Sequence, residues 1–263
     1  RPTPVTLPQF TADTFTDDFT DPAGSPYWSP LVVGTGPSMV ETGGVDGKLQ
    51  LTIPTTATGV SLALGYFTTC SLIGDFTVEA TYVLPTIPTD PTRNRSISVV
   101  PVSLAGQILT GVGRAYDPAI GEVYWGAKQM PVLWESTTDT SGKLRFIRQN
   151  GLAYTEYYSG GTWHSLDTGT PYTTADVRLA FWMIEEAAPL PAELMVGTFD
   201  DIAITGTIAG VKVHQVFENH AAKPIEAVYV FPASTRAAVH GMRMRIDEIV
   251  TELVRGNRIE FRE

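Results

Sequence analysis

The sequence predicts an all-β fold, a sandwich or a barrel, on three observations. Gly (24) and Pro (19) occur throughout the 263 residues and separate short segments rich in Val, Ile, Thr, Tyr and Phe. These segments alternate apolar and polar residues with a period of two, as in 48–53, 76–83 and 96–102. Turn signals recur about every 8–12 residues, and helical periodicity is almost absent before residue 210. Because a domain usually has about 100–150 residues, we expect one large β domain and a smaller second one.

Composition and charge exclude several classes of protein. Hydrophobic residues make up 43% and charged residues 17%, which suffices for a sizeable core and excludes a disordered chain. The net charge of −10 repels phosphate backbones, so we expect no nucleic-acid partner. No segment approaches the roughly 18 apolar residues of a membrane span. Cys70 is the single cysteine, which excludes an intrachain disulfide and a multi-cysteine zinc site. The start at Arg1 rather than Met suggests processing.

Residues 143–167 form the clearest local pattern. Asn150-Gly151 is typical of a type I′ turn and predicts that Arg145 lies opposite Glu156. A second turn at Gly160-Gly161 places Tyr158 opposite Trp163, which completes a three-stranded meander. One face carries Arg145, Ile147, Tyr154, Glu156, Tyr158 and Trp163. The other carries Leu144, Phe146, Ala153, Thr155, Tyr157, His164 and Leu166. We expect the second face to form the core.

Seven short motifs follow one another between residues 13 and 206. They are Asp17-Asp18-Phe19, Tyr27-Trp28, Asp46-Gly47-Lys48-Leu49, Gly74-Asp75-Phe76, Thr138-Asp139-Thr140-Ser141-Gly142-Lys143, Tyr157-Tyr158-Ser159-Gly160-Gly161 and Phe199-Asp200-Asp201. In this order and spacing they resemble a concanavalin A-like lectin/glucanase jelly-roll domain. The resemblance implies an antiparallel jelly-roll β-sandwich whose first and last strands are adjacent. Many members of that group bind glycans or mediate interactions, and some are glycoside hydrolases.

The remaining residues carry a different resemblance. Segments 211–219, 223–232 and 237–246 are similar to the first half of a VIT (vault protein inter-alpha-trypsin) domain. The domain boundaries we predict are therefore 1–12 for an N-terminal extension, 13–206 for the jelly roll and 207–263 for a partial VIT-like β domain. Half a β domain leaves unpaired backbone groups along a sheet edge. We therefore expect this edge, near 211–217 and 227–231, to pair with a second copy or with another protein.

The segment 246–255 allows two interpretations. Its apolar residues recur at i, i+3, i+4, i+7 and i+8, and Gly256 follows as a helix C-cap, which favours a helix. The VIT resemblance instead implies two strands on either side of a turn at Asp247-Glu248. We favour the strands.

The chain lacks the usual catalytic motifs. The glucanases place their carboxylates in an E-x-D-x-x-E strand, and the jelly-roll portion contains no such string. Neither a G-x-S-x-G motif nor a histidine pair at metal-ligand spacing occurs. Glu185 and Glu186 precede a proline-containing stretch and are interpreted as part of a loop. We therefore predict no enzymatic activity, with a glycoside hydrolase as the alternative.

Two sets of residues are candidates for binding. The first is the aromatic face of the meander, where Tyr154, Tyr158 and Trp163 beside Arg145 and Glu156 offer stacking surfaces and hydrogen-bonding groups for a glycan. The alternative is that these aromatic side chains form the core. The second set gathers acidic residues at the start of the first strand and the end of the last, where carboxylate oxygens suit calcium. It comprises Asp17, Asp18, Asp21, Asp200 and Asp201. The alternative is that these aspartates only terminate strands and turns, so no cofactor is required.

Together these features predict a non-catalytic adhesion or assembly protein, secreted or displayed at the cell surface. We expect it to act as a protomer of a larger assembly such as a filament, with glycan binding as an additional activity of the jelly roll. The alternative is a pure carbohydrate-binding module.

Overall fold

The computed structural model describes residues 14–21, 27–90, 92–126, 133–167, 169–186 and 193–206, and the backbone alone of 207–208, 242–246 and 249–253. The predicted extension 1–12 and the predicted VIT-like strands at 211–217 and 227–231 lie outside these residues. The described strands, in chain order, are β1 Thr14–Asp17, β2 Trp28–Thr35, β3 Ser38–Glu41, β4 Leu49–Ile53, β5 Thr58–Thr68, β6 Leu72–Thr86, β7 Asn94–Ser103, β8 Val112–Asp117, β9 Gly121–Gly126, β10 Leu133–Ser136, β11 Ser141–Gln149, β12 Leu152–Ser159, β13 Thr162–Ser165, β14 Thr170–Pro171, β15 Val177–Glu186, β16 Met195–Ile208, β17 Met242–Ile246 and β18 Ile249–Leu253.

The first sixteen strands form two antiparallel layers. The front layer has the order β2-β5-β15-β7-β8-β9-β10. The back layer has the order β13-β12-β11-β6-β16, with β1 and β4 both paired to β16, β3 paired to β4, and β14 paired to β12. Among the described strands, backbone pairing joins the two layers at one residue pair, Leu72 with Val177. The predicted all-β jelly-roll sandwich is confirmed, and the first strand lies beside the last strand of the sandwich.

The core lies between the layers because each strand turns alternate side chains inward. From the front layer, Phe181 meets Phe199 of the back layer edge to face, with 5.9 Å between ring centroids. Tyr82 and Tyr124 also meet across the layers, and their hydroxyl oxygens are 2.7 Å apart. These side chains belong to one continuous buried cluster.

The predicted meander is confirmed residue by residue. Arg145 pairs with Glu156, and Tyr158 pairs with Trp163. Asn150 and Gly151 have φ values of 52° and 73°, as a type I′ turn requires. Leu144, Phe146, Ala153 and Thr155 are buried, so the face assigned to the core is correct at these positions. His164 departs from that assignment, since it is exposed at the edge strand β13.

Two local predictions are resolved by the backbone. Strands β17 and β18 pair antiparallel with Ile246 opposite Ile249, so the segment 246–255 begins as a hairpin and the helical alternative is wrong. The loop interpretation of Glu185 and Glu186 is also wrong. Both residues end β15, and Glu185 is buried because Arg93 and Arg95 neutralise its charge inside the sandwich.

The chain divides into two compact units, Arg1–Lys212 and Val213–Glu263. Strand β16 continues to Ile208, two residues beyond the predicted end of the jelly roll at 206. In the described part of the second unit, the backbone forms the two-stranded sheet β17–β18.

Candidate functional site

A row of side chains crosses the outer surface of the front layer. Residues directly opposite one another in antiparallel strands share a face, and the strand register joins seven such positions in one line. They are Leu31, Gly65, Trp182, Ser98, Gly113, Trp125 and Trp134. Trp182 lies between Phe181 and Met183, whose side chains enter the core, so the line faces away from it. We call these seven residues the tryptophan row.

Small residues determine where the indole rings lie. A Cβ atom on Gly113 would be 2.5 Å from Nε1 of Trp125 and 2.7 Å from Cβ of Ser98. The Trp125 ring therefore lies across Gly113 and uses the space that a side chain would fill. Ser98 accepts a hydrogen bond of 2.8 Å from Nε1 of Trp182. This bond satisfies the polar atom of an indole that is otherwise in apolar surroundings.

The three indole rings of the row differ in exposure, which increases from Trp182 to Trp125 and Trp134. Trp182 is 5% exposed and packs in a second hydrophobic cluster with Val100, Val102 and Ala180. Trp125 is half-buried, and Trp134, on the edge strand β10, is 47% exposed. The distance from Trp182 to Trp134 is about 19 Å, taken as four interstrand spacings of about 4.8 Å. Because Trp182, Ser98 and Gly113 are buried, the accessible aromatic surface of the row lies at its end, on Trp125 and Trp134.

The polar groups around the row are mostly hydroxyls. Ser96 and Ser136 occupy the next outward positions on β7 and β10, two residues from Ser98 and Trp134. Arg178 lies farther along β15, where its guanidinium is 5.8 Å from the ring of Phe67. The surface combines flat apolar rings with neutral hydrogen-bonding groups, as glycan-binding surfaces do.

The glycan-binding residues predicted from sequence lie on the opposite outer surface. Arg145, Tyr154, Glu156, Tyr158 and Trp163 are all half-buried on the outward face of the back layer, so the alternative that their aromatic rings form the core is wrong. Tyr158 meets Trp163 edge to face at 5.3 Å. The structure therefore brings this predicted set together.

The groups of this set are already engaged with one another. Arg145 donates to Oε1 of Glu79 at 2.8 Å and to Oε2 of Glu156 at 2.7 Å. Its guanidinium carbon also lies 3.5 Å from the centre of the Trp163 ring, in a cation–π contact that covers one ring face. A glycan at this surface would have to compete with these contacts. The ring of Trp134 is more accessible to a ligand, since it is 47% exposed.

Four of the five aspartates proposed for calcium are divided between two roles, and the fifth, Asp21, is exposed and does not line the depression formed by three of them. Asp18, Asp200 and Asp201 line an open depression of about 370 Å³ together with Lys48. Burial, followed by repulsion from Asp201 and Asp18, raises the pKa of Asp200. Asp17 instead accepts hydrogen bonds from Trp28 Nε1 at 2.7 Å and from the Phe19 backbone at 2.8 Å.

Several oxygens of these carboxylates already accept hydrogen bonds. The two bonds of Asp17 engage both of its oxygens, and Oδ1 of Asp18 accepts from the backbone and the hydroxyl of Thr20. In the described ranges, no three acidic, histidine or cysteine side chains are grouped so that they could hold a metal ion.

Sequence reasoning missed the tryptophan row, although one signal was present. Between 177 and 184, the inward residues Leu179, Phe181 and Met183 alternate with the outward residues Ala180, Trp182 and Ile184. A sandwich strand that is apolar on both faces has a second apolar surface to cover. Trp125 and Trp134 join this surface only through strand pairing, which the local pattern does not reveal.

Comparison with known proteins agrees with the two-part organisation. The family model described as the vault protein inter-alpha-trypsin domain matches residues 200–255. The predicted resemblance of the C-terminal segment is therefore confirmed over those residues. The match starts within β16, so the end of the sandwich and the start of the family pattern overlap. No curated protein sequence matches the chain.

Solved structures share the sandwich fold at low sequence identity. The CBM2 module of the evolved Dit protein of Lactobacillus casei BL23 phage J-1 aligns with a TM-score of 0.51 and 8% identity, over 76% of this chain and 99% of that one. Cellulose induced protein Cip1 aligns with a TM-score of 0.49 and 15% identity, over 75% of this chain and all of that one. Peanut lectin in complex with a nine-residue peptide aligns with a TM-score of 0.49 and 12% identity, over 76% of this chain and all of that one. At 8% identity, the likeness to the phage module is one of fold.

The described residues contain no helix that is long and apolar enough to cross a membrane.

Proposed function

We propose that the β-sandwich binds a polysaccharide through the tryptophan row, and that the protein is a non-catalytic adhesion or assembly protein of the cell surface. The observation that carries the proposal is the pairing of Trp134 with Trp125 on the outward face, in line with Trp182. Sugar rings stack on indole faces, and the accessible rings of Trp125 and Trp134 on adjacent strands suit neighbouring rings of a polymer. Exposed apolar surface of this kind is usually a binding site.

A pair of alanine variants tests the proposal and separates the two outer surfaces. We expect Trp134→Ala to weaken binding on a glycan array about tenfold or more, because it removes the most exposed ring of the row. Trp163→Ala is the matched control, since it removes an indole from a short strand on the back layer. Binding lost in Trp163→Ala and retained in Trp134→Ala would move the site to the surface that the sequence predicted. An array with no binding by the parent chain would contradict the proposal.

The alternative, a glycoside hydrolase, requires two carboxyl groups about 5–9 Å apart on one surface. Glu185 and Glu186 are adjacent in β15, so their side chains point to opposite faces, and Glu185 is held by Arg93 and Arg95. The measurement is release of reducing sugar from the polysaccharides that the parent chain retains. We expect none, and release that persists in purified material would establish the enzyme.

We further propose that the C-terminal segment mediates assembly. A two-stranded hairpin is marginally stable alone in water, so β17 and β18 require additional strands, from the same segment or from another chain. Light scattering on the whole chain, beside a chain ending at Lys212, distinguishes these sources. We expect the whole chain to form oligomers and the shorter one to be monomeric, and two monodisperse monomers would contradict the assembly role.

A further inference from the structure

We infer that the ligand of the tryptophan row is a neutral polysaccharide and not one that carries carboxylate or sulfate groups. The inference rests on the proposed function and specifies its ligand. It follows from where the described cationic side chains of the sandwich lie, which is outside the row and largely in the interior.

Most of the described arginine side chains of the sandwich are buried and form hydrogen bonds within the fold. Of the six with described side chains, four are buried: Arg93, Arg95, Arg114 and Arg148. Arg148, for example, donates to the backbone carbonyls of Gly74 and Ala175, each at 2.6 Å. Guanidinium groups engaged in this way are not available to an anionic ligand.

The two remaining arginines lie outside the row. Arg145 is on the back layer, between Glu79 and Glu156. Arg178 is on the front layer, stacked over Phe67 and two strand positions beyond Ala180. Recognition of a carboxylate or sulfate in a chain of sugars needs a cation near each charged ring, most often a bidentate Arg. Among the described side chains, the row itself contains no charged residue.

The two lysines whose side chains the structure describes lead to the same conclusion. Lys48 lies in the depression formed with Asp18, Asp200 and Asp201. Lys143 is on β11 of the back layer, opposite Tyr158. Neither one can therefore neutralise a polyanion that lies across the front layer.

The overall charge of the chain acts in the same direction. With a net charge of −10, the protein repels a polyanion before contact, and this repulsion is strongest at low ionic strength. The groups that the row does offer, indole faces and the hydroxyls of Ser96 and Ser136, match sugar rings and neutral hydroxyl groups. The negative net charge therefore disfavours charged sugars, and the uncharged groups of the row favour neutral ones.

Affinity electrophoresis of the whole chain tests this inference. Native gels contain either a neutral polysaccharide (xyloglucan, glucomannan or mixed-linkage β-glucan) or an anionic one (alginate or polygalacturonate), at about 10 mM and about 200 mM salt. We expect retardation in at least one neutral gel, equal at both salt concentrations and about tenfold weaker in Trp134→Ala. We expect no retardation in the anionic gels.

A charge-insertion variant sharpens the test. Ser136→Arg places a guanidinium two residues from Trp134, and we expect it to gain a salt-sensitive retardation by alginate that the parent chain lacks. Absence of that gain would overturn the inference, because charge would then not set the selectivity.

The failures of the two proposals are distinguishable. Retardation of the parent chain by the anionic gels, declining with salt, would overturn the inference and leave polysaccharide binding in place. Mobility unchanged in every gel would overturn the proposed function together with the inference.

Discussion

Nη1 of Arg93 donates a hydrogen bond of 2.6 Å to Oε1 of Glu185 in the interior of the sandwich. Nη2 of Arg95 approaches the same oxygen at 3.3 Å and also reaches Glu193 at 2.8 Å. The Glu185 carboxylate therefore compensates two guanidinium groups at the ends of strands β7 and β15. This arrangement links the charge balance of the interior to the stability of the front layer.

We expect Glu185→Gln to lower the free energy of unfolding by about 3–5 kcal/mol, because it leaves two buried guanidinium groups without their shared counter-ion. Glu186→Gln is the matched control, since Glu186 is the exposed neighbour at the end of the same strand. Its effect should stay within about 0.5 kcal/mol. The measurement is urea unfolding, and similar losses in both variants would contradict a specific role for the buried carboxylate.

Gly113→Ala tests the placement of Trp125. The added methyl group would be 2.5 Å from the Trp125 ring nitrogen and 2.8 Å from the Ile97 carbonyl oxygen, so the ring must move. We expect polysaccharide binding to weaken about tenfold and the free energy of unfolding to fall by about 1–3 kcal/mol.

Gly197→Ala provides the control for that substitution. Its methyl group would meet Ile97 Cδ1 at 3.0 Å and Met183 Sδ at 3.2 Å, both in the core. It should lower stability and leave binding unchanged. If Gly113→Ala retains the affinity of the parent chain, Trp125 does not contribute to the site.

Asp17→Asn should destabilise the sandwich by about 1–3 kcal/mol. Asp17 uses one oxygen for the Phe19 backbone and the other for Trp28 Nε1, and an asparagine can supply only one acceptor. Trp28 stacks on Tyr66 and contacts Phe181, so the lost bond affects the aromatic cluster of the core.

Asp18→Asn is the control for Asp17→Asn. Both bonds of Asp18 go to Thr20 through a single oxygen, which an asparagine preserves. Urea unfolding followed by tryptophan fluorescence should show a shifted midpoint for Asp17→Asn alone. Equal shifts would show that the two carboxylates act through charge and not through these bonds.

Two aspartates should respond to pH in opposite directions. Burial alone would raise the pKa of Asp139, but hydrogen bonds from Ser159, Tyr124 and Thr137 outweigh it and lower the pKa. Its stabilising contribution is present above its unfolded pKa of about 3.9 and is lost as pH falls through the lower folded value. We expect Asp139→Asn to be destabilising at about pH 7 and less destabilising at about pH 2.

The ionisation of Asp200 has the opposite effect on the free energy of unfolding. Burial and then repulsion from Asp201 and Asp18 raise its pKa, so its ionisation opposes folding at neutral pH. We expect Asp200→Asn to be stabilising at about pH 7, with the difference vanishing at about pH 2, where both states bind the proton. Urea midpoints at the two pH values check both variants. A loss of stability in Asp200→Asn at neutral pH would contradict the assigned environment, and would favour a bound cation as the partner of that carboxylate.

The meander shows which structural features the local sequence is able to predict. Asn150-Gly151 and Gly160-Gly161 fix their turns through backbone conformations that glycine and asparagine readily adopt, and a two-residue turn sets the register of the strands it joins. The opposition of Arg145 to Glu156 and of Tyr158 to Trp163 follows from those turns. The cation–π contact between Arg145 and Trp163 does not follow, because it depends on side-chain rotamers.

Glu185 shows that a charged residue cannot be assumed from the sequence to be exposed. Two adjacent glutamates before a proline-containing stretch are typical of a loop, and the sequence gives no sign that Arg93 and Arg95, about ninety residues earlier, will lie against one of them. Burial of a carboxylate depends on a partner brought by strand pairing, so only the folded sandwich decides it.

Residue periodicity and turns between neighbouring positions were enough to predict the class of fold and the meander with its register. The order of a jelly roll followed by a VIT-like segment was predicted from the resemblance of short motifs to known families. Tertiary structure alone decided which surface carries the tryptophan row. Leu31, Trp182 and Trp134 are far apart in the chain and fall on one line only through the successive pairings of the seven strands from β2 to β10 in the front layer. A pattern within one strand cannot specify which distant strands will flank it.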